Sequence, residues 1–351
     1  MARAPKPIEF EPDEDLPVRA NPELVGHDHA AGVLEAAARS GRLAHAWLIA
    51  GPPGIGKATL AYRFARWLLA GGPALPPGPA PLHLPPEHPV FRRVASGSHA
   101  DLFVLRPIAD GRVRQEIRGD AVRQAIRDLA LTPAEGGWRV LVLDQAEAMR
   151  VEGANALLKT LEEPPPRSVL LLTCAAPDRL LPTIRSRVRR LELAPLGAEA
   201  MDQVLAGLLP DLARLDRQRL ARMAEGAPGR ALALSEGEGL ALQSLVEEVL
   251  AAAPAGDRRR WHAVAESVAA KRDGSGFVTF MALLRREIAA AVRRAARGEE
   301  DAPPWLGLRP LAEWSTLWDR LGRLAAETDG LSLDRKQAVL TALGWLSPPR
   351  R

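Results

Sequence analysis

A parallel β-sheet flanked by helices, followed by a wholly helical C-terminal part, is the fold class that this 351-residue sequence predicts. Three observations carry that reading. Short apolar runs alternate with helix-length patterns through residues 47–193, as a sheet with helical crossovers requires. The first run, Trp47-Leu48-Ile49-Ala50, leads straight into a glycine-rich loop and a helix. Beyond residue 240 the apolar residues recur at helical spacing.

Taken in order, residues 1–20 read as a flexible acidic lead carrying Glu9, Glu11, Asp13, Glu14 and Asp15. They lack the basic-then-apolar order of a secretory signal. After the first strand and its loop, Leu60, Phe64, Trp67 and Leu68 mark a helix. The span from Gly71 to Pro89 is proline-rich and reads as a loop. Further strands are expected at 102–105, 140–143, 169–172 and 191–193, which closes a sheet domain over residues 21–195. Residues 196–240 hold short helices around Leu205, Leu208, Leu212 and Leu220, broken by the Gly226 to Gly229 turn. Residues 241–351 read as longer amphipathic helices, with Phe280, Leu283, Leu284, Ile288 and Val292 on one stripe and Leu311, Trp314, Leu317, Trp318 and Leu321 on another.

The loop Gly51-Pro52-Pro53-Gly54-Ile55-Gly56-Lys57-Ala58 is a phosphate-binding loop complete except for its last residue. Such loops work because glycines let backbone N–H groups curl around phosphate oxygens, while the lysine reaches the terminal phosphates and a Ser or Thr hydroxyl ligates magnesium. Here Ala58 stands where that hydroxyl belongs. Thr59 does not replace it, since one step along a helix turns a side chain by about 100°. The loop, its strand and its helix N-terminus together predict an anion site for ATP or ADP, with weak or no magnesium. The plainer alternative is a glycine-rich turn without a ligand.

A P-loop fold holds its metal with an acidic residue at the end of a neighbouring apolar strand, and Val140-Leu141-Val142-Leu143-Asp144 fits. Asp144 read alone is also a good helix cap. Hydrolysing relatives of such folds follow this aspartate with a glutamate, whereas this chain has Gln145, a very weak base. Ala58 and Gln145 are therefore two separate departures, on metal ligation and on water activation. The pocket is expected to bind nucleotide without hydrolysing it.

Asn155-Ala156-Leu157-Leu158-Lys159-Thr160-Leu161-Glu162-Glu163-Pro164-Pro165 reads as a helix with Leu157, Leu158 and Leu161 on one face, closed by prolines. It resembles the signature that follows the acidic strand in bacterial sliding-clamp loaders. Leu180-Leu181-Pro182-Thr183-Ile184-Arg185-Ser186-Arg187-Val188 resembles the Ser-Arg-Cys motif of the same proteins, with Val188 for the cysteine. The likeness continues through His45-Ala46-Trp47, Ser98-His99-Ala100-Asp101-Leu102, Gly226-Ala227-Pro228-Gly229-Arg230-Ala231-Leu232 and Leu333-Asp334-Arg335-Lys336. On these segments the chain resembles the AAA+ family of DNA polymerase III clamp-loader subunits, the delta-prime subunits in particular.

That resemblance implies an AAA+ P-loop domain, a small helical lid and an α-helical collar. It implies a subunit of a DNA-directed DNA polymerase holoenzyme without autonomous activity, with the gamma/tau motor subunits, the delta subunit, the sliding clamp and primed DNA as partners. Arg187 would enter the ATP site of an adjacent subunit as an arginine finger, where a permanently charged guanidinium offsets charge on the transferring phosphoryl group. On composition alone, Arg185, Arg187, Arg189 and Arg190 are equally a solvated basic edge. Arg230 matches the second-sensor arginine of AAA+ lids, or else is a surface arginine after a Pro-Gly turn. The first-sensor position falls within Thr173-Cys174-Ala175, in a register the sequence leaves open.

Composition agrees with a globular, multidomain protein: 47% hydrophobic, 26% charged, and a net charge of only +4. So mild a balance argues against tight DNA binding by the isolated chain, which would need many phosphate contacts. Cys174 is the only cysteine, so no internal disulfide forms and a reducing, cytoplasmic setting is expected. Many subunits of the resembled family carry a cysteine-ligated zinc module before the second strand. Here His83, His88 and His99 lack thiolate company, and no structural zinc is expected. No apolar run approaches the roughly 18 residues of a membrane span. The competing functional class is an active AAA+ ATPase, either the motor subunit or a related enzyme, against which Ala58 and Gln145 both count. A small-molecule kinase or GTPase has no use for the segment from Leu158 to Pro165.

Overall fold

The computed structural model describes residues 16–110, 113–236, 238–254, 258–270, 274–298 and 302–347; the acidic residues up to Asp15 lie outside them. The chain divides into two compact units, one of residues 1–207 with 225–229 and the other of 208–224 with 230–351.

The first unit opens with helices α1 (Leu16–Ala20) and α2 (Asp28–Arg39), strand β1 (Ala46–Ala50), and helices α3 (Lys57–Leu69) and α4 (Pro89–Ala95). Strand β2 (Leu102–Leu105) is followed by the antiparallel pair β3 (Ile108–Asp110) and β4 (Val113–Glu116), which the sequence did not suggest. Helix α5 (Gly119–Leu129), strand β5 (Arg139–Leu143), helix α6 (Val151–Glu162), strand β6 (Ser168–Cys174), helix α7 (Pro182–Arg185), strand β7 (Arg189–Glu192) and helix α8 (Ala198–Leu208) complete it. The main sheet has five strands in the order β2-β5-β6-β1-β7, and every neighbouring pair is parallel.

Strands β1, β5 and β6 are buried along their whole length, which explains their unbroken apolar runs: helices cover both faces. Trp47, Ile49, Val140, Val142 and Leu171 face a core shared with α2, α3 and α4. Alternate residues Leu48, Leu141, Leu143, Leu170 and Leu172 face the other core, with Leu157 and Leu161 of α6 and Val122 of α5. Each such fully buried side chain contributes about 1.5–3 kcal/mol to the sheet's stability.

Helix α3 is hemmed in on nearly all sides and buries two arginines. Arg66 donates to Arg19 O at 2.5 Å and Asn21 O at 2.7 Å, and its guanidinium lies 4.3 Å from the centre of the Phe91 ring. Arg63 donates to Pro22 O and Pro81 O. Burial lowers the Arg66 pKa to about 10, so the cation is retained at neutral pH, and backbone carbonyls of the incoming chain supply its acceptors. Residues 16–20, which the sequence assigned to the flexible lead, are helical.

The second unit is helical: α9 (Arg214–Ala224), most of α10 (Pro228–Glu236), α11 (Gly239–Ala252), α12 (Arg258–Ala269), α13 (Ser275–Ala296), α14 (Leu311–Gly330) and α15 (Arg335–Leu346). Phe280, Leu283, Leu284 and Ile288 of α13 and Trp314, Leu317 and Leu321 of α14 are buried as their spacing predicts. Trp314 packs edge-on to Trp305 with ring centres 5.0 Å apart, and its indole N–H donates to Leu306 O. Leu311 and Trp318, expected on the same stripe, are exposed; the Arg285 guanidinium lies 4.0 Å from the centre of the Trp318 ring.

Candidate nucleotide-binding site

Strand β1 delivers the chain to Gly51 and helix α3 starts at Lys57, so residues 51–56 turn between a buried strand end and a helix N-terminus. Gly51, Gly54 and Gly56 have φ of 152°, 73° and 107°. A Cβ on Gly51 would also meet Leu193 O at 2.7 Å, so glycine is required there for space and for backbone conformation. Ile55 is buried, whereas Pro52, Pro53 and Gly54 are exposed. The buried His27 ring holds Ile55 O at 2.8 Å through Nε2, and the Gly229 N–H donates to Gly54 O at 2.8 Å. The loop is thus tied to α2 and to the Gly226–Gly229 turn as well as to its own strand.

The Lys57 ammonium is buried and donates to Gly51 O and Pro52 O, each at 2.8 Å. Burial pulls its pKa below the ordinary lysine value, while Glu147 and Asp144 act in the opposite direction. Ala58 packs its methyl against the core beneath the loop, and Thr59 follows half-buried.

Asp144 ends β5, its N–H donating to Leu105 O of β2 at 2.8 Å. Strand β6 lies between β1 and β5, and there Thr173, paired with Ile49, donates its hydroxyl to Asp144 Oδ1 and accepts the Gln145 N–H at 3.0 Å. Thr173 is thereby the polar residue of the Thr173-Cys174-Ala175 segment that meets the acidic strand. Gln145 is exposed and takes a left-handed backbone, with φ of 53°.

Glu147 was missed at the level of sequence. It sits in a short 3₁₀ turn three residues after Asp144; its Oε1 accepts the Ala175 N–H at 2.8 Å and its Oε2 is buried. The signal available was the acidic residue three positions beyond the strand-end aspartate. Burial, reinforced by Glu147, pushes the Cys174 thiol up to about 12, so this cysteine stays protonated.

Lys57, Asp144, Thr173 and Glu147 therefore form one electrostatic group behind the glycine loop. The position for a metal-binding hydroxyl carries the methyl of Ala58, and Asp144 Oδ1 already accepts from Thr173. Among the described residues no group of three or more His, Cys, Asp or Glu is arranged to hold a metal ion, and no helix is long and apolar enough to cross a membrane.

Arg187 is at the other end of the sheet. Register pairs Arg189 of β7 with Trp47 at the start of β1, whereas the loop follows the end of β1 at Ala50, roughly 10 Å farther along the strand direction. The chain does not bring Arg187 to its own loop. The guanidinium instead donates to Thr183 O at 3.0 Å and to Ser186 Oγ at 3.4 Å, and pairs with Glu162 at 2.7 Å, remaining exposed. Arg230, half-buried on α10, belongs to the second compact unit.

Residues 26–197 match the family model described as DNA polymerase III, delta subunit. The chain is 37% identical over 230 residues to DNA polymerase III subunit delta' of Pseudomonas aeruginosa, covering 63% of this chain and 66% of that protein. It is 33% identical over 238 residues to subunit delta' of Escherichia coli, covering 64% of each. A third relative, DNA polymerase III subunit gamma/tau of Mycobacterium bovis, is 34% identical over 189 residues, which is 52% of this chain and 30% of that protein. The chain thus spans a little under two thirds of the length of the delta' proteins it matches.

Proposed function

Since residues 26–197 match the family described as DNA polymerase III, delta subunit, we propose that this chain is a delta-prime-like clamp-loader subunit that binds nucleotide without hydrolysing it. In that role it helps load a sliding clamp onto primed DNA beside gamma/tau motor subunits and a delta subunit. Residues 21–195 would serve as the P-loop domain, 196–240 as a lid in which Arg230 reads the nucleotide, and 241–351 as a collar. ATP or ADP would lie on Gly51 to Thr59, with Lys57 leaving the Gly51 and Pro52 carbonyls for the phosphates. Thr173 keeps Asp144 oriented, and Gln145 puts a very weakly basic amide where hydrolysing relatives place a glutamate.

One observation carries the trans role of Arg187: an exposed, hydrogen-bonded guanidinium at the end of the sheet away from the chain's own loop. There it is of no use to a nucleotide bound by the same chain, and of most use to one bound by a neighbour, whose phosphoryl-transfer charge it would offset.

Steady-state ATP turnover by the purified chain tests the non-hydrolysing reading. Turnover indistinguishable from that of Lys57→Ala is expected, and sustained hydrolysis abolished by Lys57→Ala would overturn it. For the finger, Arg187→Ala in the reconstituted assembly is expected to lower DNA-stimulated hydrolysis while assembly proceeds; unchanged turnover rules the role out.

A further inference from the structure

We infer that Glu162 is a positioning residue for Arg187, fixing the guanidinium in the orientation in which it meets a neighbour's phosphates. This rests on the finger reading above and deepens it by naming the residue that sets the geometry.

Glu162 is the last residue of α6, at the end of the Leu158 to Pro165 segment, and its Oε1 lies 2.7 Å from one terminal nitrogen of Arg187. The other terminal nitrogen is held by Thr183 O and Ser186 Oγ. A guanidinium is a rigid plane with five N–H donors, so holding both terminal nitrogens from two elements fixes the direction of the whole fork and still leaves donors for a ligand. Two sequence motifs that lie apart along the chain thus meet at one ion pair.

Helix stability alone gives Glu162 no reason to be there. A helix C-terminus carries negative partial charge, and Glu162 and Glu163 together oppose it. The surrounding edge is no open cationic surface either: Arg185 pairs with Asp178 at 2.9 Å, Arg190 pairs with Glu192, and Arg189 lies 4.9 Å from the centre of the Trp47 ring. Each of those three arginines is engaged by its own or an adjoining element. Arg187 alone of the four is clamped between α6 and the end of α7.

The test is DNA-stimulated ATP hydrolysis by the assembly reconstituted from this full chain, gamma/tau and delta subunits, sliding clamp and primed DNA. Variants are Glu162→Ala, Glu162→Gln, Glu163→Ala, Arg187→Ala and the Glu162→Ala/Arg187→Ala pair, each also measured for thermal unfolding as the isolated chain. Misplaced catalytic groups can cost up to about 100-fold, so Glu162→Ala is expected to lower kcat at least about 5-fold at the site served, with KM for ATP little changed. Glu162→Gln, whose amide oxygen can accept an N–H from the same place, recovers at least about half of the wild-type kcat, and Glu163→Ala stays near wild type. Adding Glu162→Ala to Arg187→Ala brings no further loss. Wild-type turnover by Glu162→Ala, where Arg187→Ala is impaired, overturns the positioning role and leaves the finger intact. Wild-type turnover by Arg187→Ala removes the finger and the inference with it. Equal impairment of Glu162→Ala and Glu162→Gln, with lowered unfolding temperatures in both, assigns Glu162 to the helix end and overturns the inference.

Discussion

Thr173 donates its hydroxyl to Asp144 Oδ1 across the pairing of β5 with β6, so the strand-end acid is anchored by the adjacent strand. The same hydroxyl oxygen takes the Gln145 N–H, making one buried side chain the anchor of two consecutive residues.

Replacing Thr173 by Val keeps the shape and removes both hydrogen bonds. A hydrogen bond contributes about 0.5–1.5 kcal/mol, and about 1.5–3 kcal/mol where one partner is charged, so urea unfolding of Thr173→Val should shift by about 1–3 kcal/mol and Thr173→Ser should recover most of it. An unchanged midpoint would show that the pair has no structural weight.

Restoring the hydroxyl at position 58 should change how the pocket treats magnesium. Ala58→Thr is expected to bind a fluorescent ADP analogue about 10-fold more tightly with magnesium than with EDTA, a difference of about 1.4 kcal/mol, whereas the natural chain shows little dependence. Equal magnesium dependence in the two proteins contradicts this account of Ala58.

Gly229 tests the brace on the loop. A Cβ there would meet Gly54 Cα at 3.0 Å and Gly54 O at 3.1 Å, both backbone atoms with little room to yield. Overpacking of this kind costs about 1–3 kcal/mol, and Gly229→Ala should weaken nucleotide binding by loosening the Gly54 contact. Titration of Gly229→Ala with ADP, giving the wild-type affinity, would count against the brace.

Cys174 offers a check on burial. With its thiol raised from 9.0 to about 12, the native protein should resist iodoacetamide at pH 8 and react only on unfolding. The sign for stability follows: a raised acid pKa favours the neutral native thiol, so its contribution is whole below about pH 9 and is lost as pH climbs toward about 12. Prompt alkylation of the folded chain would refute this.

Arg187→Ala should leave the isolated chain nearly as stable as before, since exposed ion pairs contribute only about 0–1 kcal/mol. Thermal unfolding of the purified variant checks this, and a large drop would mean that any lost activity of the assembly reflects folding.

Strands β1, β5 and β6 were legible because burial on both faces demands unbroken apolar runs, and half-buried β2 because Leu102 and Val104 pack on one core and Phe103 and Leu105 on the other. The edge strand β7 begins earlier than its apolar residues suggest, since only Leu191 is buried and Arg189 and Arg190 are admitted at an edge. The β3–β4 pair left no comparable signal, its segments being short and rich in charge. In the site, the loop and Asp144 were read from local spacing. Thr173, Glu147 and the Glu162 partner of Arg187 were not, because each acts through contacts between segments far apart in sequence, where no periodicity reports them.

The strand order also constrains how the molecule is made. Strand β1 has β6 and β7 as its neighbours, with Ala46 against Leu170 and Trp47 against Arg189, so the segment that ends in the glycine loop has no sheet partner until most of its unit has been synthesised. Trp47, Leu48 and Ile49 therefore stay without sheet partners while the chain up to β6 is being made, an apolar stretch that has to be kept from pairing elsewhere.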